Sequence, residues 1–158
     1  MLQKEFFVKV SGDMLFKPEF INWLVWLLKE LHVRVVVCVG GGTQIKKEFK
    51  RRGWKEDNYG PMGRETQTNS EEYWVAREIL EKNRNKLKDR LQKEGVRDIV
   101  IEIPMFMVGG VYRHVNGDNY LLAAYLGFDK LYIVTVKKRV DEKIQQFAHL
   151  PKIELKYF

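Results

Sequence analysis

The chain has 158 residues, of which 45% are hydrophobic and 31% charged, with a net charge of +7 at neutral pH. This length predicts one domain, residues 1–158, able to bury a real core. No apolar run is long enough to span a bilayer, and Met1-Leu-Gln-Lys-Glu-Phe-Phe7 predicts no signal peptide. The single cysteine, Cys38, excludes an internal disulfide and suits a small buried hydrophobe in a reducing cytoplasm. The positive excess suits nucleic acid or an anionic metabolite. Basic clusters stand at Lys46, Lys47, Lys50, Arg51, Arg52 and at Lys137, Lys138, Arg139, but no RNA- or DNA-binding motif accompanies them. Nucleic acid therefore ranks below a small molecule.

In chain order, Glu5 to Val10 reads as a first strand running into Ser11-Gly12-Asp13. Pro18 suits a first helical turn, and apolar spacing carries that helix to Leu31. Val33 to Val39 reads as a buried strand, rich in β-branched residues, ending in Gly40-Gly41-Gly42. A helix then runs to Arg52, where Gly53 stops it. The glycines fit either a phosphate-binding turn or an ordinary tight β–α connection, and their spacing is neither the Rossmann fingerprint nor the P-loop. Trp54 to Asn69 has no clear period. A long helix follows from Asn69 or Ser70 to about Glu94, then a strand at Asp98 to Ile103. Pro104 to Gly110 reads as a break and Val111 to Val115 as a short strand. Asn116-Gly117-Asp118 leads into a helix over Asn119 to Leu126. Lys130 to Val136 is a strong strand, followed by a polar helical piece to Phe147 and a last strand at Ile153 to Tyr157. Strands alternating with helices predict an α/β fold: a three-layer α/β/α sandwich with a mostly parallel central sheet and ligands beyond the C-terminal strand ends.

Three pieces of the chain resemble one family. Phe7-Val-Lys-Val-Ser-Gly-Asp-Met-Leu15 is similar to the opening strand and glycine turn of the amino acid kinase superfamily, in the form seen in uridylate kinases. Val36-Val-Cys-Val-Gly-Gly-Gly-Thr-Gln-Ile45 resembles its second strand and glycine loop, closest to acetylglutamate kinases. His114-Val-Asn-Gly-Asp-Asn119 and the strand ending at Thr135 resemble its Asn-x-Asp turn and Thr-ended strand. The resemblance implies an amino acid kinase-like fold and a small-molecule phosphotransferase acting on a carboxylate or phosphate acceptor, with ATP and Mg²⁺, as a homodimer. It implies that Lys9 neutralises phosphoryl charge and that Asp118 orients a catalytic lysine. Gly12, Gly40, Gly41 and Gly42 would form the phosphate-binding turns. Asn116 and Arg64 would contact the acceptor, and Thr135, Lys137 and Lys138 the nucleotide. Trp23, Trp26 and Leu27 would supply the dimer surface.

Each residue also has a structural reading. Lys9 fits a solvated strand end, Asp118 a helix cap, Asn116 and Gly117 a turn, and Arg64 a surface arginine. His32 and His114 lack metal-ligand spacing. The chain departs from the family after Thr135, where Val136-Lys137-Lys138 replaces its Asp and Gly, and where its nucleotide portion has no counterpart. The alternative is a degenerate, non-catalytic member that binds a nucleotide or phosphorylated metabolite, or acts as a partner subunit.

Overall fold

The computed structural model describes residues 3–55, 59–60, 63–64, 70–108 and 110–158; side chains at 59–60, 63–64, 70, 108 and 111–113 lie outside the description. Strand β1 is Glu5–Val10, helix α1 Pro18–Glu30, strand β2 Arg34–Val39 and helix α2 Gly42–Arg51. Two short strands, β3 (Tyr59–Gly60) and β4 (Gly63–Arg64), pair antiparallel before the long helix α3 (Ser70–Lys93). Strand β5 (Val100–Glu102) leads to a hairpin of β6 (Met105–Val108) and β7 (Val111–His114). The sequence reads β6 as a break. Its antiparallel pairing with β7 supplies the backbone partners that a four-residue strand lacks alone. Helix α4 (Gly117–Ala124), strand β8 (Lys130–Val134), helix α5 (Val140–Phe147) and strand β9 (Ile153–Lys156) complete the chain.

The central sheet has the order β5-β2-β1-β8-β9, and every pairing in it is parallel. Helices cover both faces, so the chain is a three-layer α/β/α sandwich. The period-2 alternation of each strand sorts its side chains between two cores. Phe6, Val8 and Val10 face α1 and α3, with Leu24, Leu27, Leu87 and Leu91. Phe7, Cys38, Leu131 and Ile133 face α4 and α5, through Leu121 and Phe147. A third cluster, Ile45 and Phe49 with Ala76 and Leu80, packs α2 against α3. Leu27 lies in the core, so of the residues expected at a dimer surface Trp26 is exposed and Trp23 is half-buried. Among the described residues no helix is long and apolar enough to cross a membrane.

Strand order also fixes where a ligand can bind. From β1 the chain moves to β2 on one side; from β8 it moves to β9 on the other. That reversal opens a crevice beyond the C-terminal ends of β1 and β8.

Candidate functional site

Lys9 is the penultimate residue of β1 and, by alternation, points to the same face as Phe7. There it meets Asp118, in the first turn of α4, with Nζ 3.0 Å from Oδ1. The other carboxylate oxygen, Oδ2, accepts a hydrogen bond of 2.5 Å from Lys143 of α5. Lys9 thus forms an ion pair with this carboxylate. All three side chains are largely buried, with relative exposures of 12% for Lys9, 11% for Lys143 and 4% for Asp118. Burial pushes the Asp118 carboxyl up, but the charge of Lys9 and the hydrogen bond and charge of Lys143 outweigh it. The carboxyl ends below its ordinary value. Two ammonium groups share one buried carboxylate, an excess of one positive charge before the exposed Glu142, 3.9 Å from Lys143 Nζ, is counted.

That charge faces a cleft of about 120 Å³ walled by strand ends and helix starts. Ser11, Gly12 and Asp13 come from the end of β1, and Gly40 to Thr43 from the β2–α2 turn. Thr135 follows β8, His114 and Asn116 precede α4, and Lys46 and Arg139 stand at the rim. Four cationic side chains, Lys9, Lys46, Arg139 and Lys143, outnumber two carboxylates, Asp13 and Asp118. Helix α2 starts on this cleft with no side-chain cap on Gly41, so its first turn presents backbone N–H groups there. The Ser11 hydroxyl is buried with no hydrogen-bond partner among the described residues. A buried hydroxyl left unsatisfied in a cationic cleft fits a ligand oxygen. Together these groups can hold an anion and stabilise negative charge that builds on a bound group.

The glycines differ in what they do. The Gly40 N–H already donates to the Val10 carbonyl at 2.8 Å. A Cβ on Gly40 would sit 2.9 Å from that same oxygen, so this glycine is required by close backbone approach. A Cβ on Gly41 would meet Leu80 at 3.0 Å, which ties that position to the seating of α3. Gly12 and Gly42 line the cleft with them. Gly117 supports the lysine: a Cβ there would lie 2.8 Å from Cε of Lys9.

The structure thus brings Lys9, Asp118, Gly12, Gly40, Gly41, Gly42, Asn116 and Thr135 to one cleft. Asn116 is the N-cap of α4, its side chain accepting from the Asp118 N–H at 2.8 Å. Lys137 and Lys138 are exposed in a 3₁₀ turn and lie outside the cleft lining. Arg64 ends β4, and its side chain falls outside the description. Lys143 is the residue that sequence reasoning missed. Its signal is a helical one: it stands four residues before buried Phe147, which puts a lysine on the inward stripe of α5. Cys38 lies beside Lys9 in register and is fully buried. Burial pushes its thiol far up, against the charge of Lys9, so it stays neutral.

Fold and cleft define a class: a three-layer α/β/α protein with a cationic cleft at the switch point of a parallel sheet. No family model and no curated protein matches the chain. Among solved structures it is similar to smu.665 from Streptococcus mutans UA159, at 16% identity and a TM-score of 0.61, over 92% of this chain and 84% of that one. It is also similar to N-acetylglutamate synthase from Neisseria gonorrhoeae. The complex with coenzyme A and N-acetyl-glutamate matches at 16% identity and a TM-score of 0.54, and that with coenzyme A and L-arginine at 15% and 0.53. Both matches cover 92% of this chain, which spans about half of the synthase, 47% and 49%. At these identities the likeness is one of fold.

These findings correct the expected identity. No family model places the chain among amino acid kinases, and the similar structures named above are smu.665 and a synthase solved with coenzyme A, not a kinase with ATP. The expected phosphotransferase activity, its ATP and Mg²⁺ and the degenerate-kinase alternative are set aside. Among the described residues no group of three His, Cys, Asp or Glu side chains could hold a metal ion. The resemblance misled for a physical reason. A glycine turn after a parallel strand, a strand-end lysine and an Asx-capped helix start serve any anionic ligand at such a sheet edge.

Proposed function

We propose that this protein binds a small anionic metabolite by a terminal phosphate or carboxylate, seated between Lys9, Lys143 and the start of α2. The observation that carries this reading is the Lys9–Asp118–Lys143 cluster, which holds two buried ammonium groups on one carboxylate at the cleft wall. Asp118 fixes both lysines and leaves the surplus charge for the ligand. Gly12, Gly42 and the Ser11 hydroxyl add neutral donors, and Asn116 and Thr135 line the same cleft. Lys46 and Arg139 at the rim draw the anion in. The synthase neighbours name two suitable probes: coenzyme A carries phosphates, and N-acetyl-glutamate carries carboxylates.

Calorimetric titration with coenzyme A, N-acetyl-L-glutamate and inorganic phosphate separates the two sources of negative charge. At least one should bind, and Lys9→Ala and Lys143→Ala should each weaken it at least tenfold. A hydrogen bond to a charged group is worth roughly 1.5–3 kcal/mol, and about 1.4 kcal/mol is tenfold. Circular dichroism of each variant checks the fold. The reading fails if none of the three binds, or if both variants fold and bind as the wild type does. A homodimer and a cytoplasmic location belong to the same reading, supported by exposed Trp26 and by the single, buried cysteine.

A further inference from the structure

Behind the cleft, two side-chain amides hold the carbonyls of its two glycine turns. Asn83 of α3 donates from Nδ2 to the Gly40 carbonyl at 3.0 Å. It is 6% exposed, and nothing in a solvated helix calls for an asparagine buried there. Gln44 of α2 donates from Nε2 to the Gly12 carbonyl at 3.1 Å. Neither residue lines the cleft. Both line a separate cavity beside α2 and α3, so each holds a peptide carbonyl from outside the cleft.

Packing reinforces both contacts. A Cβ built on Gly41 would lie 3.3 Å from Nδ2 of Asn83, and one built on Gly12 would lie 2.3 Å from Oε1 of Gln44. The amides therefore fill the space that side chains on the turns would need. They link the glycines to the choice of residue at positions 83 and 44. On its cleft side the same backbone carries the N–H groups at the start of α2.

We infer that Asn83 and Gln44 are positioning residues: they hold the two glycine turns so that backbone N–H groups point at the anion before it arrives. The inference rests on the proposed anion site. Its physical content is preorganisation. A donor already aimed costs no reordering on binding, whereas a turn released from its carbonyl anchor must be fixed by the ligand.

Asn83→Leu and Gln44→Met remove the donors while keeping size and charge nearly constant. Leu91→Ala, at a buried position farther along α3, serves as a control for lost stability alone. Two readouts are taken on each folded variant. The first is hydrogen exchange, without ligand, of the Gly40 and Met14 amides, whose hydrogen bonds to the Val10 and Ser11 carbonyls close the two turns. The second is affinity for coenzyme A, N-acetyl-L-glutamate and inorganic phosphate. Asn83→Leu should speed exchange at Gly40, and Gln44→Met at Met14, each by about tenfold beyond Leu91→Ala. Affinity for the binding probe should fall severalfold, also beyond the control. Exchange and affinity equal to those of Leu91→Ala would overturn the positioning role and leave both amides as ordinary packing. If the wild type binds no probe, the anion site itself has failed, and the exchange readout alone still decides whether the amides hold the turns. Loss of binding in Lys9→Ala with unchanged exchange at Gly40 and Met14 separates the charge of the site from the shape of its turns.

Discussion

Asp118 sits between two ammonium groups, and its ionisation is coupled to folding. Its folded carboxyl binds a proton more weakly than the unfolded one, so the unfolded chain takes up more protons in acid. The resulting stability is present above the unfolded value, about 4, and is lost as pH falls through the lower folded value. Urea titrations at a series of acidic pH values should therefore show a steeper loss in wild type than in Asp118→Asn. At neutral pH that variant should be less stable by roughly 3 kcal/mol, since removing one partner strands buried charge. An unchanged acid slope would mean that the two lysines do not act on Asp118 as the geometry indicates. At this scale the sequence shows Lys9 and Asp118 as candidates but not their contact. Nor does it show that Asn116, not Asp118, caps α4. Both belong to how α4 docks on β1, which local spacing does not contain.

The elements that carry the site are short, and their ends matter more than their middles. Helix α4 covers eight residues, and its Asn116 cap satisfies one of the N–H groups that every helix start leaves open. Asn116→Ala should cost about 1 kcal/mol in global stability, measured by urea unfolding. Asn116→Asp, which retains the accepting oxygen, should restore most of it. Equal losses in the two variants would show that the cap contact contributes little. Helix bounds were legible where the sequence punctuates them: Pro18 opens α1, and Gly53 and Gly95 adopt positive φ just beyond α2 and α3. The β6–β7 hairpin was not legible as a pair, because β6 has no alternation of its own and depends on a partner strand.

Across the whole molecule the sheet is ordered from centre to edge. Strand β1 is paired on both sides, by β2 and β8, while β5 and β9 each have one neighbour in the sheet. Native-state hydrogen exchange should be slowest for the amides of Phe7 to Val10 and fastest, within the sheet, for those of β5 and β9. Uniform protection across all five strands would contradict this gradient. Because β1 and β8 also bear Lys9 and the approach to Thr135, the most protected part of the sheet carries the cleft. A ligand present at about a hundred times its Kd should add roughly 2.7 kcal/mol to that stability.

The sequence by itself determined the five strands of the central sheet and the helices that flank it, the parallel α/β architecture and the glycine turns at the sheet's C-terminal edge. Those features are written in periodicity, β-branched runs and helix punctuation, all local in the chain. The tertiary structure alone decided that Lys143 joins Lys9 on Asp118 and that Asn83 reaches the Gly40 carbonyl. It also decided that Lys137 and Lys138 stay outside the cleft. These partners lie far apart in sequence, and only the docking of α3, α4 and α5 on the two faces of the sheet brings their side chains to one edge.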